Sequence, residues 1–173
     1  MARGGRRNRL PLSAATLALM KITILTVGKL GRMVEAQLAL DYASRATASG
    51  RALALGPVDI LEVEARKPGK AAEAEVLRPH LEGAYVVACD EHGKAWKSRA
   101  FADHLARLRD DGNRRVVFLI GGADGLDPSI LAAANETMAF GVQTWPHALA
   151  RAMLAEQIYR AATILSGSPY HRD

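Results

Sequence analysis

The chain has 173 residues, of which 49% are hydrophobic, 24% charged and only 5% aromatic. That is the balance of one soluble globular unit with a core of Ala, Leu, Ile and Val. The single cysteine, Cys89, excludes a disulfide framework and a cysteine-rich zinc site, and the five histidines show no metal-ligand spacing. The net charge of +5 is concentrated at the start. Arg3, Arg6, Arg7 and Arg9 stand among no acids, and 19 basic against 18 acidic residues remain beyond residue 19. The body therefore does not advertise a nucleic-acid surface by bulk charge, and any RNA footprint must come from a local patch or from the summed field of a dimer.

Residues 1–19 differ from the rest: a basic, glycine-containing start, then a small apolar stretch. Basic-then-apolar order is shared with secretory signals, and the Arg6-Arg7 pair with twin-arginine signals, but no convincing small-residue cleavage site follows. The segment reads as an extension, either disordered or the product of a mis-assigned start, with Met20 as the natural first residue.

From there strands and helices alternate. Lys21–Val27 is an alternating strand, Gly28–Gly31 a turn, and Met33–Ser49 a helix on the spacing of Val34, Leu38, Ala39, Tyr42 and Ala46. After a loop over Gly50–Pro57, Val58–Val63 is a second strand. The basic loop Arg66-Lys67-Pro68-Gly69-Lys70 precedes a helix over Ala71–Leu81. Ala84–Cys89 is a continuous apolar run and hence a buried, parallel strand. Asp90–Trp96 reads as a loop, and Ser98 caps a helix through Arg109. Val116–Ile120 is another buried strand. Asp127-Pro128 pairs an N-cap with proline at the first helical position and opens a helix ending near Asn135. Met138–Thr144 is a fifth strand, and a long helix covers Leu149–Leu165. Such alternation implies a mostly parallel sheet flanked by helices on both faces, and periodicity alone stops at flavodoxin-like or Rossmann-like.

Chemistry concentrates at three junctions. The first, Gly121-Gly122-Ala123-Asp124-Gly125, follows a buried strand but fits neither G-x-G-x-x-G nor a P-loop, so by itself it is a plain turn or a place of close backbone approach to a ligand. At Trp145-Pro146-His147, proline holds a rigid loop whose backbone groups could face an adenine ring. His147 alone reads as an ordinary N-terminal helix residue. Arg151, one turn on and unpaired within its helix, is a solvated surface arginine or an anion holder. Terminal Tyr170-His171-Arg172 is either an uninformative end or a lid offering stacking, proton exchange and a phosphate contact. Cys89, at a strand end with no suitable histidine, reads as a small core residue rather than a nucleophile.

Taken in order, Met20–Leu30, Phe118–Leu126, Trp145–Arg151, Glu156–Ala161 and the terminal Pro169-Tyr170-His171-Arg172 are similar to the ribosomal RNA large-subunit methyltransferases of the H type, a branch of the SPOUT class. The likeness runs over 20–173 as one SPOUT methyltransferase domain. It implies a SPOUT-type sheet with a C-terminal trefoil knot, which sequence reasoning alone would not propose. It also implies a cytoplasmic homodimer that methylates N3 of a pseudouridine in large-subunit (23S) ribosomal RNA with S-adenosylmethionine, on the assembled ribosome, without metal or membrane. The cofactor would lie between the strand end at Cys89, the glycines Gly121 and Gly122, and Phe140, Gly141, Val142, Gln143, Thr144 and Trp145. Trp145 is bulkier than the resemblance leads one to expect.

For catalysis the resemblance points to the tail. The nucleophilic nitrogen must lose a proton, and His171 suits that role. Tyr170 would stack on or position the base, and Arg151 and Arg172 would hold RNA phosphate. Rival readings are a SPOUT enzyme acting on transfer RNA, which usually needs an appended RNA-binding domain, a non-catalytic ribosome-binding protein, and a fragment of a dinucleotide oxidoreductase, which lacks its fingerprint here.

Overall fold

A computed structural model describes residues 19–172; the extension read over residues 1–19 falls, apart from Leu19, outside them. Five strands form one sheet: β1 (Met20–Val27), β2 (Leu55–Val63), β3 (Tyr85–Ala95), β4 (Arg115–Ile120) and β5 (Glu136–Ala139). Their order is β2-β1-β4-β3-β5 and every pairing is parallel. Two of the three interior strands, β1 (MKITILTV) and β4 (RVVFLI), are buried along nearly their whole length, as strands covered on both faces must be.

The helices are α1 (Val34–Gly50), α2 (Lys70–Leu77), α3 (Ser98–Asp110), α4 (Pro128–Ala133) and α5 (His147–Ser166). Period-two alternation splits the core between them. Ile22, Ile24, Val116 and Phe118 point to one face, where α1, α3 and α5 supply Ala39, Leu105 and Leu154. Leu25, Val27, Val117 and Leu119 point to the other, where α2 and α4 supply Leu77 and Ile130. Small residues such as Ala39, Ala43, Ala155 and Ala161 let α1 and α5 lie close together, so an aromatic-poor core still fills its space.

Four expectations are corrected. The fifth strand is Glu136–Ala139 rather than Met138–Thr144, because the chain turns at Gly141 with φ +110°. Asp90–Trp96 is not simply a loop, since β3 runs on to Ala95 through a bulge. Cys89 and Lys94 both register on Met138, which leaves Asp90–Gly93 looped out. The Asp90 carboxylate accepts the His92 N–H at 2.9 Å and closes that turn. At Gly93 any Cβ would lie 2.6 Å from the Met138 backbone. The helix over 71–81 breaks after Leu77 into a 3-10 turn, Arg78–His80, that carries Pro79. Finally, Ser98 is the first residue of α3 rather than its cap, and its hydroxyl donates to Gln157 Oε1 at 2.9 Å. Asp127 does cap α4: its carboxylate accepts the Ser129 N–H at 2.9 Å, and Pro128 follows it.

Candidate active site

The carboxyl ends of β3, β4 and β5 enclose a cavity of about 760 Å³, within the roughly 300–1,000 Å³ typical of small-molecule sites. Three segments wall it: the β3 bulge, the Gly121–Gly125 turn after β4, and the loop from β5 into α5. Cys89, Gly121, Gly122, Phe140, Gln143, Thr144 and Trp145 all line it. Gly141 and Val142, expected with them, do not. Gly141 faces a second groove and Val142 stands fully exposed.

The glycine turn has a structural reason of its own. A Cβ on Gly121 would sit 2.8 Å from the Gly125 backbone, and one on Gly122 would sit 2.7 Å from the Glu73 carboxylate. Glu73 of α2 faces the Gly122 N–H at 3.4 Å. Gly121 is therefore required for the turn to fold against itself, whereas a side chain at Gly122 would displace the Glu73 carboxylate, and the resulting wall is largely backbone. On the opposite wall, Thr144 donates to Glu91 at 2.7 Å, which ties the bulge to the β5–α5 loop. Trp145 Nε1 donates to the Phe140 carbonyl at 3.3 Å and braces that loop. Burial pushes the Cys89 thiol up to about 12, so it is uncharged at neutral pH and contributes shape rather than a nucleophile.

Arg151 requires a correction. Its side chain is buried, with 1% exposure, and forms an ion pair with Glu62 at 2.6 Å. It also donates to the carbonyls of Val27 and Gly28 at 2.9 and 2.8 Å. Glu62 in turn accepts the Leu30 N–H. This guanidinium thus clamps α5 to the ends of β1 and β2, and it presents no face to an RNA phosphate.

The tail folds back along α5. Glu156 is its anchor, accepting from the Tyr170 hydroxyl at 3.0 Å and from Arg160 at 2.5 Å. The Arg160 guanidinium stacks over the Tyr170 ring at 4.8 Å and lies 3.2 Å from His171 Nδ1, which must accept from it. Burial, with hydrogen bonds to Tyr42 and Glu156, holds the Tyr170 phenol above its usual range, so it remains a donor. Glu156 lies nine residues beyond His147 on α5, about 13 Å along the axis. Tyr170, His171 and Arg172 line neither cavity within one copy.

Several cavity residues escaped the sequence reading: Lys70, Asp90, Glu91, His92 and Asp124. The signal available was the polar run Asp90-Glu91-His92 directly after a buried strand, at the sheet edge where ligands bind. His147, the first residue of α5, also lines the cavity. A second, mostly apolar groove of about 510 Å³ lies between α1, α3, the end of β3 and α5, with Leu38, Trp96 and Met153 on its walls.

Comparison with known proteins agrees with this architecture. A family model described as "Predicted SPOUT methyltransferase" matches residues 20–171. The chain is 99% identical over 155 residues to a Caulobacter vibrioides protein named ribosomal RNA large subunit methyltransferase H, covering 90% of this chain and all of that one. A Phenylobacterium zucineum protein of the same name is 66% identical, covering 89% of this chain and all of its own. Among solved structures, a probable methylase family protein from Haemophilus influenzae superposes with a TM-score of 0.51 at 10% identity, covering 91% of this chain and 72% of that one. That likeness concerns the fold.

Proposed function

The chain belongs to the SPOUT methyltransferase family, and from that premise we propose that it transfers a methyl group from S-adenosylmethionine to N3 of a pseudouridine in large-subunit (23S) ribosomal RNA, on the assembled ribosome. The observation that carries the reading is the backbone-walled cavity at the carboxyl ends of three parallel strands. Relatives that are matched over their whole length and named for large-subunit ribosomal RNA supply the substrate class.

The residues present fit such a donor. The cavity has the required volume, its glycine wall offers main-chain groups at close range, and Phe140 with Trp145 supplies apolar surface for a flat ring. When bound, S-adenosylmethionine supplies an activated methyl on a sulfonium. What remains for the chain is orientation, exclusion of water and handling of one proton. Cys89, Gly121, Gly122, Phe140, Gln143, Thr144 and Trp145 would hold the donor, with Gly141 and Val142 shaping the turn rather than touching it. His171 would take the N3 proton, Tyr170 would position the base, and Arg172 would hold phosphate.

In one copy that tail is pinned to Glu156, away from the cavity. The reading therefore requires a homodimer in which the tail of one copy completes the cavity of the other. The groove beside α1 and α5, with exposed Val34, Leu38 and Leu40 nearby, is the face such a dimer would cover. The C-terminal trefoil knot, a single domain over 20–173 and a cytoplasmic site of action belong to the same reading. No helix among the described residues is long and apolar enough to cross a membrane, and no group of three or more metal-ligating side chains occurs among them.

The test is transfer of labelled methyl from S-adenosylmethionine to ribosomes lacking this modification, with protein-free ribosomal RNA alongside. Label confined to large-subunit RNA of intact ribosomes is the expected result. Label on neither substrate, with the donor still bound, points to a different RNA and sinks the substrate assignment.

A further inference from the structure

The β2–α2 loop is a cationic surface at the cavity rim whose side chains form no ion pair among the described residues, although Lys70 lies near enough to Asp127 to join the Ser129 hydrogen bonds in lowering its pKa. Arg66, Lys67 and Lys70 are exposed. Elsewhere the described cations are commonly held: Lys21 by Asp59, Lys29 by Glu64, Arg45 by Asp41, Arg151 by Glu62 and Arg160 by Glu156. Arg66, Lys67 and Lys70 have no carboxylate within ion-pair distance among the described residues, although acids are close in sequence. Three of those acids are committed, Glu62 to Arg151, Glu64 to Lys29 and Glu73 toward the Gly122 N–H, and Glu75 stands exposed on α2. Three like charges have thus been left together on five residues of chain.

Position gives that cluster a direction. β2 is parallel to the other strands, so its carboxyl end opens on the same sheet edge as the cavity. Gly69, at φ +109°, turns the chain directly into α2, and Lys70, the first residue of that helix, lines the cavity itself. The wall across from the glycine turn, formed by the β3 bulge, carries Asp90 and Glu91. A polyanion is repelled there and attracted on the β2 side, so the field across the cavity mouth is asymmetric.

We propose that the β2–α2 loop is a phosphate-gripping arm, in which Arg66, Lys67 and Lys70 hold the ribosomal RNA backbone next to the target nucleotide as it enters the cavity from the β2 side. This rests on the RNA substrate of the function proposed above and adds where that RNA runs. Phosphate contacts of this kind position the strand without reading its sequence. They also explain how a body with almost balanced charge concentrates attraction where it is needed.

The experiment uses the full-length protein and two variants, Arg66→Ala/Lys67→Ala and the triple Arg66→Ala/Lys67→Ala/Lys70→Ala, each checked for an unchanged melting curve. Binding to large ribosomal subunits without methyl donor is measured from 50 to 300 mM salt, with methyl-transfer kinetics and donor affinity in parallel. Each lost phosphate contact flattens the log–log salt dependence by roughly 0.7–0.9, so the triple variant is expected to lose about two units of slope and at least about tenfold in subunit affinity near 150 mM salt. In kinetics the loss is expected in KM, with kcat within about twofold. Subunit affinity and salt slope equal to those of the wild type overturn the proposal. So does a loss confined to donor affinity, which would assign the cations to the donor's carboxylate. A wild type that binds subunits with this salt signature yet transfers no methyl sinks the proposed reaction and leaves the arm standing.

Discussion

The cavity and the C-terminal tail are built in opposite ways. The cavity wall is shaped mainly by main chain: a turn in which Gly121 must be glycine, a bulge closed by one Asx contact, and a proline-stiffened loop. The tail is held by side chains, through Tyr170 and Arg160 on Glu156. A backbone wall is set once the fold forms and tolerates few changes. A side-chain latch can be released by one substitution without disturbing the core. In the proposed reaction the difference separates donor binding, a property of one copy, from RNA chemistry, which would need the tail of a second copy to reach the cavity.

The strongest attempt to break that comparison is a mixing experiment. Deleting residues 168–173 should abolish methyl transfer and leave donor affinity within about twofold, whereas Gly121→Val should abolish donor binding. Mixed and allowed to exchange, the two dead proteins should recover about a quarter of wild-type activity, since half of randomly assembled dimers carry one complete site of two. If each tail served its own cavity, the mixture would stay dead.

Next in size is Arg151. Arg151→Ala leaves Glu62 and the Val27 and Gly28 carbonyls without their partner, so unfolding in urea should show a loss of about 3–5 kcal/mol. An arginine that merely held phosphate at the surface would change stability by less than about 0.5 kcal/mol and flatten the salt dependence of RNA binding instead. A smaller effect is expected on the tail. Tyr170→Phe removes one hydroxyl donor to Glu156, a net loss of about 0.5–1.5 kcal/mol in tail docking. Hydrogen exchange and proteolysis should quicken over the last residues, with the global melt and donor affinity unchanged.

Much of this was legible in the sequence. The interior strands β1 and β4 announce themselves because MKITILTV and RVVFLI are buried on both faces, and the Asp127-Pro128 start of α4 follows from local capping chemistry alone. Seven of the nine residues expected to hold the donor do line the cavity, because they sit at or just beyond strand ends. Arg151 misled because its partner, Glu62, lies 89 residues away; a residue unpaired within its helix is not unpaired in the fold. The bulge at Asp90–Gly93 was missed for a related reason. It exists because β3 must pair twice with Met138, a demand made by β5 and invisible in β3's own pattern. Tail and cavity were read as one site because they share an end of the chain and a chemistry, but distance along α5 separates them.

Cys89 gives the finest probe of the cavity wall. Burial favours the neutral thiol and raises it from its ordinary value near 9 to about 12. An unfolded chain gives up that proton near its ordinary value, whereas the folded chain keeps it until about pH 12. Over that window the unfolded state binds fewer protons, so folding stability should fall with rising pH, by up to about 1.4 kcal/mol per unit from this group. Below pH 8 the contribution is fully present and flat. Replacing Cys89 with alanine should remove that component, so the difference between the two stability curves should be constant to pH 8 and then converge. Saturating the cavity with donor should deepen the thiol's burial and slow its alkylation at pH 9. If the two curves stay parallel to pH 11, the thiol faces open water and the strand end does not shield it.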